Sequence, residues 1–148
     1  MRRPELANMI AQRPSLATAT ALLQAAHLPT EDLTEDHCRH FFLAGTADSP
    51  EGLVGLEVFE KVALLRSLVV VPEMRGKGLG ATLLEHAENH ARASGVNALY
   101  LLTTSAEKFF ALRGYARTAR ESAPAAIRAT REFAGICPAS SAFMSRNL

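Results

Sequence analysis

The chain has 148 residues, of which 48% are hydrophobic and 21% are charged. This length suits a single enclosed core, and we predict one domain over residues 1–148. Sixteen lysines and arginines against fifteen aspartates and glutamates give a net charge of +1, which argues against the broad basic surface that a nucleic-acid partner needs. A small anionic ligand remains compatible with this charge balance.

The apolar runs, the first residues and the cysteines of the sequence indicate the cellular compartment of the protein. The sequence contains no run of about 18 apolar residues, so no membrane span and no membrane partner are predicted. Arg2 and Arg3 are followed by polar residues where the apolar core of an export signal would begin. Cys38 and Cys137 fit neither a disulfide framework nor a zinc or redox spacing. We therefore expect a cytoplasmic protein.

The first half of the chain predicts antiparallel strands joined by short helices. Ser15 is a helix N-cap because an apolar set at helical spacing follows it, and Pro29 ends that helix. The remaining elements are a strand within residues 6–11, a short helix within 30–39, and strands at 40–44 and 53–59. A meander of antiparallel strands is implied.

The second half predicts a strand, a long helix and a parallel strand. Residues 62–71 are nearly continuous apolar sequence, which is typical of a central strand covered on both faces. A helix begins at Gly78 and ends before Gly95, and residues 98–102 form a second buried strand, so the unit is a right-handed βαβ crossover. The last elements are a helix over 104–113 opened by a Thr104-x-x-Glu107 capping box, a strand at 115–118, a helix over 123–133 and a strand in the tail after Cys137.

The segment Arg75-Gly76-Lys77-Gly78-Leu79-Gly80 lies between the central strand and the long helix. Glycines let backbone N–H groups approach a ligand, and the helix start adds unpaired donors and a positive dipole end, so the segment predicts an anion site. The alternatives are that the three glycines only form a tight strand-to-helix turn and that Arg75 and Lys77 are ordinary solvated charges. The Walker pattern is absent, and the dinucleotide pattern lacks an acidic residue about 20 positions on.

Arg75, Gly78 and Gly80 form R-x-x-G-x-G after the strand-ending Val70-Val71-Pro72. This pattern resembles motif A of the GCN5-related N-acetyltransferase (GNAT) superfamily, whose loop holds the pyrophosphate of acetyl-CoA. The segments LLRSLVVVPEMRGKGLG, LYLLTTSAEKFFALRGY and APAAIRAT are similar to the small acetyltransferases of bacterial arsenic-resistance operons. The LLTT…FF…GY stretch also resembles the acetyltransferase domain of N-acetylglutamate synthase.

The resemblance implies the fold and the cosubstrate. The fold would be α/β (α+β), with a mixed, mostly antiparallel central sheet of six to seven strands flanked by four to five helices, and with acyl-CoA bound where the central strands splay. Acetyl-CoA is the implied cosubstrate, and no metal is expected. The implied cofactor-binding residues are Leu68, Val69 and Val70 on the strand, Arg75, Gly76, Lys77, Gly78, Leu79 and Gly80 in the loop, and Thr103.

The same resemblance raises the question of the catalytic acid and base. Many family members carry the motif Y-x-x-x-G-F, whose tyrosine protonates the departing thiolate. Here the residue four positions before Gly114 is Phe110, which has no proton to donate. The thiolate could be protonated by solvent or by a nearby hydroxyl, namely Thr103, Thr104, Ser105 or Tyr115. For the base we prefer Glu57 acting through a bound water, because it is the only carboxylate within a predicted strand next to the central one.

Two arginines are candidates for binding an acceptor. Arg66 is a cation in an otherwise apolar strand, so it either pairs with a carboxylate such as Glu57 or meets a carboxylate of the substrate. Arg128 lies on the C-terminal helix, which in these relatives is near the acceptor entrance. The histidines show no metal spacing; His37 and His40 come closest, without a third ligand in sequence.

The predicted function is an acetyl-CoA-dependent N-acetyltransferase that acts on the primary amine of a small amino-acid-like acceptor. An amino-acid toxicant that contains arsenic is one candidate acceptor. The alternative is an acyl-CoA-binding regulatory module of the same fold without catalysis. The sequence leaves a homodimer through the C-terminal segment open.

Overall fold

The computed structural model describes residues 10–136 and 140–148. Within these residues seven strands form one sheet, namely β1 Ile10–Gln12, β2 Phe41–Gly45, β3 Pro50–Phe59, β4 Val62–Val70, β5 Ala98–Thr103, β6 Ala116–Arg117 and β7 Ala142–Asn147. Their order in the sheet is β1-β2-β3-β4-β5-β7-β6. Within the described sheet, β4 and β5 run parallel and the other neighbouring pairs run antiparallel, which confirms the mixed, mostly antiparallel sheet.

Helices cover both faces of the sheet. The α-helices of the described residues are α1 Leu16–Ala25, α2 Leu79–Ala93, α3 Glu107–Ala111 and α4 Ala125–Arg128, and tighter or wider helical turns occur at His37–His40, Pro72–Met74, Arg120–Ser122 and Glu132–Ile136. The longest, α2, has 15 residues. In this part of the chain, no helix combines the length and the apolar character that crossing a bilayer requires.

Local side-chain chemistry explains why some helix limits match the sequence. The Ser15 hydroxyl accepts the N–H of Thr18 at 3.1 Å, so α1 begins at Leu16 as predicted. After α2, Gly95 has φ +89°, the left-handed conformation expected of a glycine that ends a helix.

Three predicted helices are shorter than expected. Between residues 30 and 39 only the turn His37–His40 is helical, since the Thr34 N–H goes to the His37 ring rather than into a helix. Thr104 is not a cap; the Thr103 hydroxyl accepts the Ala106 N–H at 3.0 Å, and α3 has five residues. The helix predicted over 123–133 is interrupted after α4, where the Thr130 hydroxyl donates to a backbone carbonyl. Residues 6–9 and 137–139 of the predicted terminal strands lie outside the described residues.

The two faces of the sheet are packed differently. On one face, α2 covers a continuous apolar cluster that includes Leu83, Leu99 and Leu101. The opposite face carries two separate clusters, one formed by α1 with Phe41 and Leu53 and the other formed by α4 with Leu64 and Phe143. Arg66 lies between these two, because its guanidinium carbon is 5.9 Å from the Phe41 ring and it follows Leu64 on the same face of β4.

Strands β4 and β5 separate after a short parallel ladder. Only Val62–Leu64 of β4 pair with Ala98–Tyr100 of β5 in the described sheet. Ser67 then adopts φ +62°, and the register between β3 and β4 shifts between Leu53 and Gly55, which is a β-bulge. Because a bulge bends its strand, the rest of β4 diverges from β5. The predicted splay of the central strands is confirmed.

Three histidines surround Phe42 at the edge of the α2 face. The Phe42 ring lies 4.7 Å from the His86 ring and 4.9 Å from the His90 ring, and His40 Nδ1 is 3.4 Å from His90 Nε2. Burial lowers the pKa of all three imidazoles, and the charge of His90 lowers the pKa of His40 and His86 further. The folded protein therefore favours their neutral forms.

We expect the melting temperature to fall as the pH drops from 7 to 5. The unfolded chain takes up protons near the ordinary histidine pKa of about 6.5, whereas the folded chain takes them up only at lower pH, so stabilisation is complete above about pH 6.5 and is lost below it. Thermal unfolding of the His90→Gln variant should depend less on pH over this range. The exposed His27→Gln serves as the control, and a His90→Gln slope equal to wild type would contradict this assignment.

Candidate active site

A cavity of about 480 Å³ lies where β4 and β5 separate. Leu101 and Phe110 of its lining belong to the α2 face of the sheet, whereas Arg66 and Leu102 belong to the opposite face. The cavity therefore passes through the sheet at the split. Besides Arg66, its polar lining consists of Ser67 on β4, Thr103 at the end of β5, Thr104 and Ser105 after that strand, His27 and Glu31 after α1, Glu132, and Ser141 before β7.

Arg66 forms one wall of this cavity and is held by three carboxylates. Nη1 donates to Asp32 Oδ2 at 2.5 Å and to Glu57 Oε2 at 2.7 Å, and Nη2 donates to Asp32 Oδ1 at 2.9 Å. Nη2 also lies 3.0 Å from Glu132 Oε2, and Nε donates to the Ser67 hydroxyl at 3.0 Å. A guanidinium has five N–H bonds. Four of the five thus donate to oxygens of the protein, and the Glu132 carboxylate pairs with the charge beside Nη2.

Burial and ion pairing act in opposite directions on these groups. Burial alone would lower the pKa of Arg66, but the hydrogen bonds and charges of its carboxylate partners raise that pKa. Burial would raise the pKa of Asp32, but the hydrogen bond and the charge of Arg66 outweigh it and hold the pKa of Asp32 below its usual range. Both groups are therefore charged at neutral pH. The structure shows internal pairing for Arg66, with Glu57 and with two carboxylates that the sequence did not reveal.

Asp32, His37 and Glu57 each bring a ligand-type atom within 4.8 Å of the others, which is compact enough for a metal ion. His37 Nδ1 accepts the Thr34 N–H at 3.1 Å, so the ring proton is on Nε2, which lies 3.8 Å from Glu57 Oε1. A metal requires a nitrogen lone pair where this ring presents a proton. Because both carboxylates also bind Arg66, the donor set fits a hydrogen-bonded ion cluster rather than a metal site.

The glycine loop and the start of α2 provide donors for an anion. Gly76 has φ +79° and Gly78 has φ +85°, and a Cβ at either position would meet none of the described atoms within 4 Å. The loop therefore needs glycine for its conformation and leaves open space beside it. In the described chain α2 has no side-chain cap, and its first turn contains no acidic residue. Arg75 Nε donates to the Val70 carbonyl at 3.0 Å, which places this guanidinium beside the end of β4.

Residues 9–118 match the model of the Acetyltransferase (GNAT) family. The chain belongs to this family. An uncharacterized N-acetyltransferase from Chlorobaculum tepidum is 36% identical over 93 residues, which are 62% of this chain and 59% of that protein. An amino-acid acetyltransferase from Pseudomonas putida is 45% identical over 62 residues, which are 42% of this chain and 14% of that protein. The chain thus covers less than two thirds of the length of these relatives.

Solved structures share the GNAT fold. N-acetylglutamate synthase from Neisseria gonorrhoeae, complexed with coenzyme A and N-acetyl-glutamate, has a TM-score of 0.80 at 23% identity, over 94% of this chain and 34% of that chain. A Mycobacterium tuberculosis protein in complex with CoA has a TM-score of 0.72 at 17% identity, over 94% of this chain and 98% of that chain. At these identities the likeness establishes the fold.

The GNAT cofactor residues expected from the sequence lie along one route. Leu68 and Thr103 line the cavity on the β4 side and the β5 side, respectively. Leu79 packs its side chain into the core, so only its backbone faces the loop, and Lys77 is exposed. The side chains of Val69 and Val70 pack into the clusters on opposite faces of β4. Gly80 lies against Phe109, whose ring is 3.6 Å from the place of a Cβ.

The two catalytic residues expected from the sequence are not brought to the main cavity. Glu57 lines a smaller pocket of about 220 Å³ on the other side of Arg66. Tyr115 lies behind Phe110 and donates its hydroxyl proton to Glu88 Oε2 at 2.8 Å. Burial, the charge of Glu88 and this hydrogen bond raise the pKa of Tyr115. The structure thus shows the Tyr115 hydroxyl bonded to Glu88 and away from the main cavity, and its role as the acid stays a prediction.

The C-terminal arginines lie outside the main cavity. Arg128 is exposed and lines neither of the two described cavities, and its role in binding an acceptor stays a prediction. Arg131 is exposed, lines the smaller pocket and donates from Nη1 to the Glu31 carbonyl at 3.3 Å. Asp32 and Glu132 were missed because both are far from Arg66 in sequence, and the only sequence signal for them was the unpaired charge of Arg66.

We expect Arg66→Leu to lower the free energy of unfolding by about 3–5 kcal/mol, because it leaves three buried carboxylates without their shared cation. Urea denaturation at pH 7 measures the change. Arg39→Leu is the matched control, since the Arg39–Asp36 pair is exposed, with 54% and 80% of the two side chains accessible. Removing this exposed pair should lower the free energy of unfolding by at most about 1 kcal/mol. Equal losses in the two variants would contradict a central role for Arg66.

Proposed function

We propose that the chain is an acetyl-CoA-dependent N-acetyltransferase that transfers the acetyl group to the primary amine of a small amino-acid-like acceptor. The observation that carries this proposal is the cavity through the split between β4 and β5. The glycine loop that precedes α2 follows β4 after the single helical turn Pro72–Met74, so the predicted anion site and the split are near each other along the chain. Membership of the GNAT family supports the same assignment.

Acetyl-CoA would bind along β4. Its pyrophosphate would accept hydrogen bonds from the backbone N–H groups of residues 76–80, with Arg75 and Lys77 as neighbouring cations. The pantetheine arm would follow β4 from Val70 to Leu68, where β5 has diverged and no longer pairs with this strand in the described sheet. A backbone N–H of β4 would then polarise the thioester carbonyl and stabilise the oxyanion that forms on it.

The chemistry requires one new bond and two proton movements. The neutral amine attacks the thioester carbon, the C–N bond forms, the C–S bond breaks, and coenzyme A leaves as a thiolate. The amine proton would pass to a group that lines the cavity, and His27, Glu31 and Glu132 are the proton acceptors in that lining. Phe110 occupies the position expected for a tyrosine, so solvent would protonate the thiolate, which is a good leaving group.

Two relatives support an amino-acid-like acceptor. The similarity to the amino-acid acetyltransferase from Pseudomonas putida covers 42% of this chain, and a structural neighbour was solved with N-acetyl-glutamate. An arsenic-containing amino acid is a finer proposal that rests on the sequence resemblance alone. Because Arg66 is already paired with three carboxylates, whose negative charge opposes a fourth, we infer that other donors of the cavity hold the acceptor carboxylate.

Release of the coenzyme A thiol is the direct test. Wild-type protein is mixed with acetyl-CoA and one acceptor at a time, using L-glutamate, L-glutamine, L-phenylalanine and an arsenic-containing amino acid. Thiol release that depends on one of these acceptors, with the N-acetyl product seen by mass spectrometry, is the expected result. Calorimetric binding of coenzyme A without turnover on any acceptor would favour the regulatory module instead.

We expect Gly78→Ala to raise the Kd of coenzyme A about tenfold, since a methyl group and a shifted loop each disturb charge-assisted hydrogen bonds to the pyrophosphate. Gly95→Ala is the matched control at the other end of α2. Gly95 has φ +89° and an equally open Cβ position, so the two substitutions share the same backbone strain. We expect both variants to lose similar stability, and we expect only Gly78→Ala to bind coenzyme A more weakly. Unchanged coenzyme A affinity in Gly78→Ala would remove the loop from the proposal.

A further inference from the structure

The Ser141 hydroxyl is a buried polar group in the wall of the main cavity. Ser141 is 6% exposed, it lines this cavity, and its Oγ has no hydrogen-bond partner among the described residues. The Ser141 carbonyl accepts a hydrogen bond from Arg120 Nη2 at 2.8 Å, so the backbone is held in place while the hydroxyl is not used. A buried hydroxyl without a partner destabilises the free protein, which makes a ligand the natural partner.

Ser141 lies on the side of the cavity that faces away from the anion loop. Ala142 and Met144 of β7 pack into the cluster under α2, whereas Phe143 packs on the opposite face with Leu64 and Ile127. Ser141 directly precedes β7, and Arg120, which donates to its carbonyl, lies over the Phe133 ring of the Phe143 cluster, so Ser141 lies at the end of that face. The glycine loop begins α2 on the other face. Acetyl-CoA and a group bound to Ser141 would therefore enter the split from opposite sides of the sheet.

Other polar groups on the cavity wall are already used by the protein. Ser67 Oγ accepts from Arg66 Nε, and Thr103 Oγ1 accepts from the Ala106 N–H. Arg66 is ion-paired with three carboxylates of the protein. The Ser67 and Thr103 hydroxyls keep an O–H bond but are only half-buried, so among the described hydroxyls of the lining Ser141 is the one that is buried and has no hydrogen bond to the protein.

We propose that Ser141 is an acceptor-positioning residue whose hydroxyl donates a hydrogen bond to the carboxylate of the amino-acid acceptor. This inference rests on the proposed function. It adds to that function a binding residue for the carboxylate, which is the group that distinguishes an amino acid from a simple amine. Ser141 takes no part in bond making; it orients the acceptor so that its amine points through the split toward the thioester.

The test compares Ser141→Ala with wild type on an accepted amino acid and on the corresponding amine without its carboxylate. Ser141→Ala should raise the KM of the amino acid about tenfold, the effect of one hydrogen bond to a charged group. The kcat and the KM of acetyl-CoA should remain within about twofold, and the KM of the simple amine should be unchanged, because neither depends on this bond. The melting temperature should not fall, since the substitution removes an unsatisfied group.

Ser145→Ala is the matched control on the same strand. The Ser145 hydroxyl bonds the Thr118 hydroxyl at 2.5 Å and lies outside the cavity lining, so this variant should lose thermal stability without any change in acceptor KM. An unchanged amino-acid KM in Ser141→Ala, or a raised KM of acetyl-CoA in its place, would overturn the proposal.

A binding measurement separates this proposal from the proposed function. Thermal shifts of wild type and Ser141→Ala are recorded with coenzyme A and millimolar L-glutamate, L-glutamine or L-phenylalanine. A shift in wild type that Ser141→Ala loses supports the Ser141 site even if no thiol is released, in which case only the enzymatic proposal fails. Equal responses of the two proteins, including no response in either, would overturn the Ser141 site.

Discussion

The ion cluster around Arg66 is the constraint on which the rest of the site depends. A planar guanidinium donates hydrogen bonds only along fixed directions. Here the carboxylates that pair with it come from the loop after α1, from β3 and from the turn after α4, through Asp32, Glu57 and Glu132. One side chain thus sets the relative positions of three segments that are distant in sequence. It also lies between the two apolar clusters of the face opposite α2, against the Phe41 ring of one of them.

The bulge next to Arg66 connects this cluster to the opening of the sheet. Ser67 takes the left-handed conformation, and its hydroxyl accepts from Arg66 Nε, so the same residue bends the strand and caps the guanidinium. Because β4 then leaves β5, the main chain of its second half is available along the route proposed for acetyl-CoA. The carboxylate cluster therefore supports the open geometry of the split as well as the packing of the far face.

Features with a local period were predictable, and features made by distant contacts were not. The nearly continuous apolar run of β4 and the regular apolar spacing of α2 indicated the βαβ unit directly, and the glycine loop between them indicated the anion site. The lone charge of Arg66 signalled that partners must exist. Asp32 lies 34 positions away in sequence, and Glu132 lies beyond two further strands, so no spacing rule connects them. The hydrogen bond of Tyr115 could not be predicted for the same reason, because its partner Glu88 is 27 positions earlier in the chain.

The two walls of the cavity differ in how freely they can vary during evolution. The wall made by Arg66 is tied to the interior at every donor, so most substitutions there carry a cost in folding before they alter any ligand contact. The residues across the cavity, His27, Glu31, Thr104 and Ser105, are exposed and belong to loops. Such positions tolerate change. In such a protein, substitutions on the loop side can change which molecules bind, while the residues of the ionic wall keep the fold. The fold and the substrate specificity can therefore change independently during evolution.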